Sequence, residues 1–199
     1  MDTLYWTLLS IPSIIIASSI HEFAHAYTAY KLGDPTPKML DRLTLNPLKH
    51  IDPIGAISMI LFRFGWSKPV PINESYFKKP ILGTALTALA GPFSNLLIAG
   101  LCGLINIISF PEPIQIFLYI FTIVNLSLAI FNLIPIPPLD GHKVVRAFLP
   151  EKLRLYWENL ERYSWILIVL LLIPYSPLEI IVSRYILVTL NFFLHILGF

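Results

Sequence analysis

The chain has 199 residues, 56% of them hydrophobic and only 13% charged, with a mean hydropathy of +0.72. That balance excludes an ordinary soluble globular domain and makes a lipid bilayer the expected solvent. A net charge of +2, with bases interspersed among acids, excludes a nucleic-acid-binding face, and the single cysteine, Cys102, excludes an intrachain disulfide. Apolar runs extend from one end to the other without a Gly/Ser linker or charge block, so residues 1–199 are expected to form one integral-membrane domain.

A hydrocarbon core about 30 Å thick needs roughly 20 apolar residues per helical crossing. The first such run covers residues 4–32 and stops at Gly33-Asp34-Pro35, where Gly permits a left-handed cap and Pro cannot continue the helix. Asp2 is its only early charge and it continues unbroken into His21, Glu22 and His25, so it does not read as a signal peptide. Residues 35–80 are too punctuated to cross. Within them, residues 54–66 fall below spanning length and suit a re-entrant or interfacial element, and residues 67–73, where Val70 and Ile72 alternate with prolines, suit a short edge strand.

Two further spans are expected over residues 81–110, interrupted by Gly91-Pro92, and over residues 114–134, ending at Pro135, Pro137 and Pro138. Residues 163–173 and 178–197 supply two more apolar helices, separated by Pro174-Tyr175-Ser176-Pro177. The expected fold class is therefore an all-α polytopic membrane protein. It has about five to six transmembrane helices and a re-entrant or edge-strand element between the first two. With the amino terminus outside, residues 31–80 and 136–162 carry 13 of the 14 Lys and Arg side chains. The positive-inside rule places both segments, and the end of the first helix bearing the histidines, on the cytoplasmic side of the cell membrane.

The sequence His21-Glu22-Phe23-Ala24-His25 sets two imidazoles one turn apart on one helix face with a carboxylate beside them. This is the spacing with which zincins hold Zn2+ and a general base, and ionisable residues within a membrane helix are costly enough to mark a functional site. Two histidines leave zinc short of a protein ligand. Asp140 is the strongest third candidate, in Phe131-Asn132-Leu133-Ile134-Pro135-Ile136-Pro137-Pro138-Leu139-Asp140-Gly141, where prolines are expected to hold the chain extended. Local physics equally allows Asp140 merely to cap a helix through Phe148.

Taken together with Leu45-Asn46-Pro47 and Ala90-Gly91-Pro92-Phe93-Ser94-Asn95, these motifs resemble the site-2 protease family of intramembrane zinc metalloproteases, in its short prokaryotic form without PDZ or CBS domains. The resemblance implies one Zn2+ per chain on His21, His25 and Asp140, Glu22 as general base, and Asn132 close to the metal, holding substrate or the developing oxyanion. It also implies hydrolysis of a peptide bond in a transmembrane segment of a membrane-protein substrate. A zinc-binding transporter or sensor, or a catalytically silent family member, is the alternative. Asn95 is read either as a packing device or as part of the substrate path, His50 as a cytoplasmic-interface residue, and His142 as facing solvent or supporting a ligand.

Overall fold

The computed structural model describes residues 3–62, 65–108 and 110–199. Helix α1 (Thr3–Lys31) ends where Gly33 adopts φ 109° and the Asp34 N–H returns to the Ala29 carbonyl at 3.0 Å, the left-handed termination expected of Gly. A short α2 (Thr36–Met39), a 3-10 turn at Pro47–Lys49, α3 (Pro53–Phe62) and a second 3-10 turn at Glu74–Tyr76 follow. Then come α4 (Pro80–Asn106) and α5 (Glu112–Asn132), and after them α6 (Asp140–Phe148), α7 (Glu151–Asn159), α8 (Ser164–Leu172) and α9 (Pro177–Ile196).

Four of these are long and apolar enough to cross a membrane: Leu8–Lys31 within α1, and α4, α5 and α9. The chain is an all-α polytopic membrane protein, with four spans among the described residues where five to six were expected. The difference lies in residues 163–173. Helix α8 has nine residues, about 14 Å of rise at 1.5 Å per residue, less than half of a bilayer core. It continues α7 through a 3-10 turn at Leu160–Tyr163. Helix α3, with ten residues, is likewise too short to cross.

Two local expectations are corrected. Helix α4 is not interrupted at Gly91-Pro92 but runs through both. Proline deprives the Ala88 carbonyl of its helical donor, a loss that packing between neighbouring helices offsets. The edge strand reduces to one antiparallel bridge, Ile51 with Ser67, with the Lys68 N–H donating to the His50 carbonyl at 2.8 Å. Pro69 and Pro71 have no N–H with which to extend a ladder.

Helix α4 is the hub, packed against α1, α5 and α6. Its buried positions include Gly83, Ala85, Ala88, Gly91, Ala99 and Gly103, small residues that let helix backbones approach closely in lipid, where association relies on packing. On the α9 side of the bundle, Ala99, Leu126, Ile130 and Leu194 form the apolar core. Large exposed apolar side chains such as Leu104, Val188 and Phe192 face outward, as a bilayer requires.

The segment between α1 and α4 is tied down by buried polar groups. Asp34, fully buried, accepts from the Thr36 N–H at 2.9 Å and from the Asn73 N–H at 2.7 Å. Arg146 of α6 joins Glu74 at 2.7 Å and Glu158 at 2.6 Å, and Thr84 of α4 also donates to Glu74. The Arg146 hydrogen bond holds the Glu74 carboxyl below its ordinary value against the opposing effect of burial, with Thr84 assisting. Because the folded-state value is depressed, this tether stabilises fully above the unfolded value of 4.5 and is lost as pH falls through the folded one. We expect thermal unfolding in detergent to show this acid-dependent loss, no more than about 1 kcal/mol for so exposed a pair. Arg146→Met should flatten that part of the pH profile, and an unchanged profile would assign the acid loss elsewhere.

Candidate metal centre

One helical turn on α1 presents His21 and His25 toward α4, and the amino-terminal end of α6 brings Asp140 to the same point. All three are buried, and their ligand atoms lie within 4.8 Å of one another. His21 Nε2 and His25 Nε2 are 2.9 Å apart, and Asp140 Oδ2 is 3.2 Å from each. Tetrahedral zinc with bonds of about 2.0–2.2 Å separates its ligand atoms by roughly 3.3 Å, so this triangle is of the right size.

Hydrogen bonding on the far side of each ring bears on what the triangle can hold. His21 Nδ1 faces Asn95 Oδ1 at 2.6 Å, and His25 Nδ1 faces the Thr87 carbonyl at 2.7 Å. Both partners are acceptors, so each Nδ1 carries the proton and each neutral ring turns an Nε2 lone pair inward. Two lone pairs and a carboxylate oxygen thus converge on one point, an arrangement suited to a cation.

Asp140 does not cap its helix. It is the first residue of α6, and Leu139 in the cap position makes no side-chain capping bond. The segment before it is not extended as expected. It folds into successive turns, Ile136 N–H to the Ile134 carbonyl at 2.8 Å and Leu139 N–H to the Ile136 carbonyl at 2.9 Å, because prolines at three of its positions also suit tight turns. Gly141 makes this possible: a Cβ there would lie 2.2 Å from the Leu133 carbonyl oxygen.

Glu22 is buried beside the triad and outside it. Its Oε1 accepts from Ser67 Oγ at 2.5 Å and its Oε2 from the Val70 N–H at 3.1 Å. The segment read as an edge strand thus grips the carboxylate, and with two prolines and a committed Val70 N–H it offers a partner mainly carbonyl oxygens. Asn132, at the end of α5, donates from its amide to the Leu128 carbonyl at 2.9 Å, and among the described residues no hydrogen bond joins it to the triad.

Three residues differ from the sequence reading. Asn95, fully buried, holds His21. His50, read as a cytoplasmic-interface residue, is buried within the segment after α1, where its Nε2 meets the Thr44 carbonyl at 2.7 Å. His142 does not face solvent; it stacks on Trp157 with ring centroids 4.9 Å apart, and burial pushes its imidazole below the ordinary value. In the sequence Gly91 reads as a helix interruption or packing device and as part of the Ala90–Asn95 motif. Its missing side chain makes room for the site, since a Cβ would lie 2.4 Å from His25 Nε2 and 2.6 Å from His21 Nε2.

Comparison with known proteins places the chain in a family. The profile of Peptidase family M50 matches residues 100–174. The Bacillus subtilis protein named "Putative zinc metalloprotease YwhC" is 39% identical over 184 residues, covering 85% of this chain and 84% of that protein. The chain belongs to peptidase family M50. A more distant relative, "Zinc metalloprotease MJ0392" of Methanocaldococcus jannaschii, is 30% identical over 151 residues, 76% of this chain and 37% of that larger protein. No solved structure matches significantly. Membership in M50 bears out the site-2 protease resemblance carried by the sequence motifs.

Proposed function

We propose that the chain is a zinc endopeptidase that hydrolyses a peptide bond within or next to a transmembrane segment of a membrane-protein substrate. His21, His25 and Asp140 hold one Zn2+ and Glu22 is the general base, all within a single domain whose site opens toward the cytoplasmic side of the cell membrane. The observation that carries this reading is the inward convergence of two imidazole lone pairs and a carboxylate beside a second, separately held carboxylate. The names "Putative zinc metalloprotease YwhC" and "Zinc metalloprotease MJ0392" of its relatives support it.

Zn2+ in that triangle would supply Lewis acidity toward the scissile carbonyl and toward a water. Glu22 takes the proton from that water and returns it to the leaving amine. The Ser67 hydroxyl and Val70 N–H keep the carboxylate aimed while it waits, and must loosen as it accepts the proton. Asn132 has a second amide N–H, beyond the one given to Leu128, with which to meet the oxyanion or the substrate backbone. A substrate helix has to unwind first, since its own hydrogen bonds cover the carbonyls. Extended substrate N–H groups would then find acceptors in the carbonyls of residues 67–73.

Reconstitution into lipid vesicles with a panel of tagged single-span proteins tests the reading. Cleavage inside or at the edge of a span should vanish after treatment with a zinc chelator and return on adding Zn2+. Zinc flux across the vesicle with no cleavage of any panel member would instead identify a transporter.

A further inference from the structure

The ligand His21 sits at the end of a hydrogen-bonded series that crosses three helices inside the bundle. Asn95 on α4 and Asn125 on α5 are both fully buried. Asn95 Nδ2 donates to the Ala17 carbonyl at 3.2 Å and to Asn125 Oδ1 at 2.9 Å. Asn125 Nδ2 in turn donates to the Phe121 carbonyl at 2.8 Å. Neither amide can flip without setting oxygen against oxygen, so every bond has one direction. The Phe121 carbonyl orients Asn125, Asn125 orients Asn95, and Asn95 Oδ1 is left facing His21 Nδ1.

We propose that Asn125 and Asn95 form a directional amide relay that fixes the tautomer and ring plane of His21, so that both act as positioning residues for the metal and not as packing residues. The proposal rests on reading His21 as a zinc ligand. Its chemistry parallels the outer partners that orient metal-bound imidazoles elsewhere, with a neutral amide in place of the usual carboxylate. A further charged group inside the bundle is costly, whereas two amides in series deliver a fixed acceptor with no net charge. His25 needs no such relay because a backbone carbonyl, Thr87, already serves its Nδ1.

The test is zinc affinity of the full chain in nanodiscs, measured by competition with a chromophoric chelator. Asn95→Leu should weaken binding about 10–100-fold. Asn125→Leu, which touches no ligand, should weaken it about 3–10-fold, the worth of one buried hydrogen bond. The double variant should bind no more weakly than Asn95→Leu alone, because a relay is already broken by its first loss. Asn125→Asp should recover most of the affinity, since a buried carboxylic acid stays protonated and can both donate to Phe121 and accept from Asn95. Wild-type affinity in Asn95→Leu, additive losses, or an Asp variant no better than Leu would overturn the relay. A measurement without variants is the 15N spectrum of histidine-labelled, zinc-loaded protein, where His21 must keep its proton on Nδ1, and metal at Nδ1 would refute the proposal. Absence of zinc binding by the wild-type chain would instead overturn the metal-site reading beneath it.

Discussion

Glu22→Gln is expected to lower peptide hydrolysis by about 10²–10⁴-fold, the usual worth of a general base, while the protein keeps its zinc. Glutamine has nearly the same shape and can still accept from the Val70 N–H through its oxygen and donate to Ser67 through its nitrogen, so both contacts of the wild-type side chain survive. None of the three converging ligand atoms belongs to Glu22. What disappears is the ability to take a proton from water. Metal content and single-turnover cleavage of the same preparation provide the check. Cleavage at the normal rate by a zinc-loaded Glu22→Gln protein would remove Glu22 from the mechanism.

Gly91→Ala should behave in the opposite way, losing the metal with the base intact. The added methyl would stand 2.4 Å from His25 Nε2 and 2.6 Å from both Nε2 and Cε1 of His21, and side chains do not tolerate such separations. These are not flexible tips that can swing aside, because each ring is held at Nδ1 by Asn95 or by the Thr87 carbonyl. Either a ring leaves its position or α4 moves away from α1. Overpacking of this kind costs about 1–3 kcal/mol, which corresponds to roughly 5–150-fold in zinc affinity if it falls on the bound state, and hydrolysis should fall with occupancy. The contrast is diagnostic: Glu22→Gln should be loaded and inactive, Gly91→Ala poorly loaded. A Gly91→Ala protein with full zinc affinity would show that the two helices do not meet as described.

Much of this protein is legible along the chain because its solvent imposes a length. Runs of about 20 apolar residues mark the spans, and Gly33-Asp34-Pro35 ends the first helix where the structure ends it. The nine-residue α8 misled for the same reason: residues 163–173 are apolar but too few, and composition does not say how far a helix must reach. The strand-like stretch at residues 67–73 misled differently. Its alternation is real, yet its role is to hold Glu22, a residue 45 positions earlier than Ser67.

By itself the sequence determined the membrane class, the paired imidazoles with their intervening carboxylate, and a short list of polar residues costly enough in lipid to require a purpose. A helical turn is a local object, so His21 and His25 share a face whatever the rest of the chain does. Which distant residue completes their site is not local. Asp140 lies 119 residues beyond His21, and equally good grounds made it a helix cap until folding set its carboxylate against both rings. The tertiary structure alone decided that Asn95 and Asn125 face the site, that His50 and His142 are buried elsewhere, and that Gly91 is small because two imidazoles occupy the space of its side chain. Each of these depends on which faces of α1, α4 and α5 meet, a property of packing between helices that no spacing within one helix encodes.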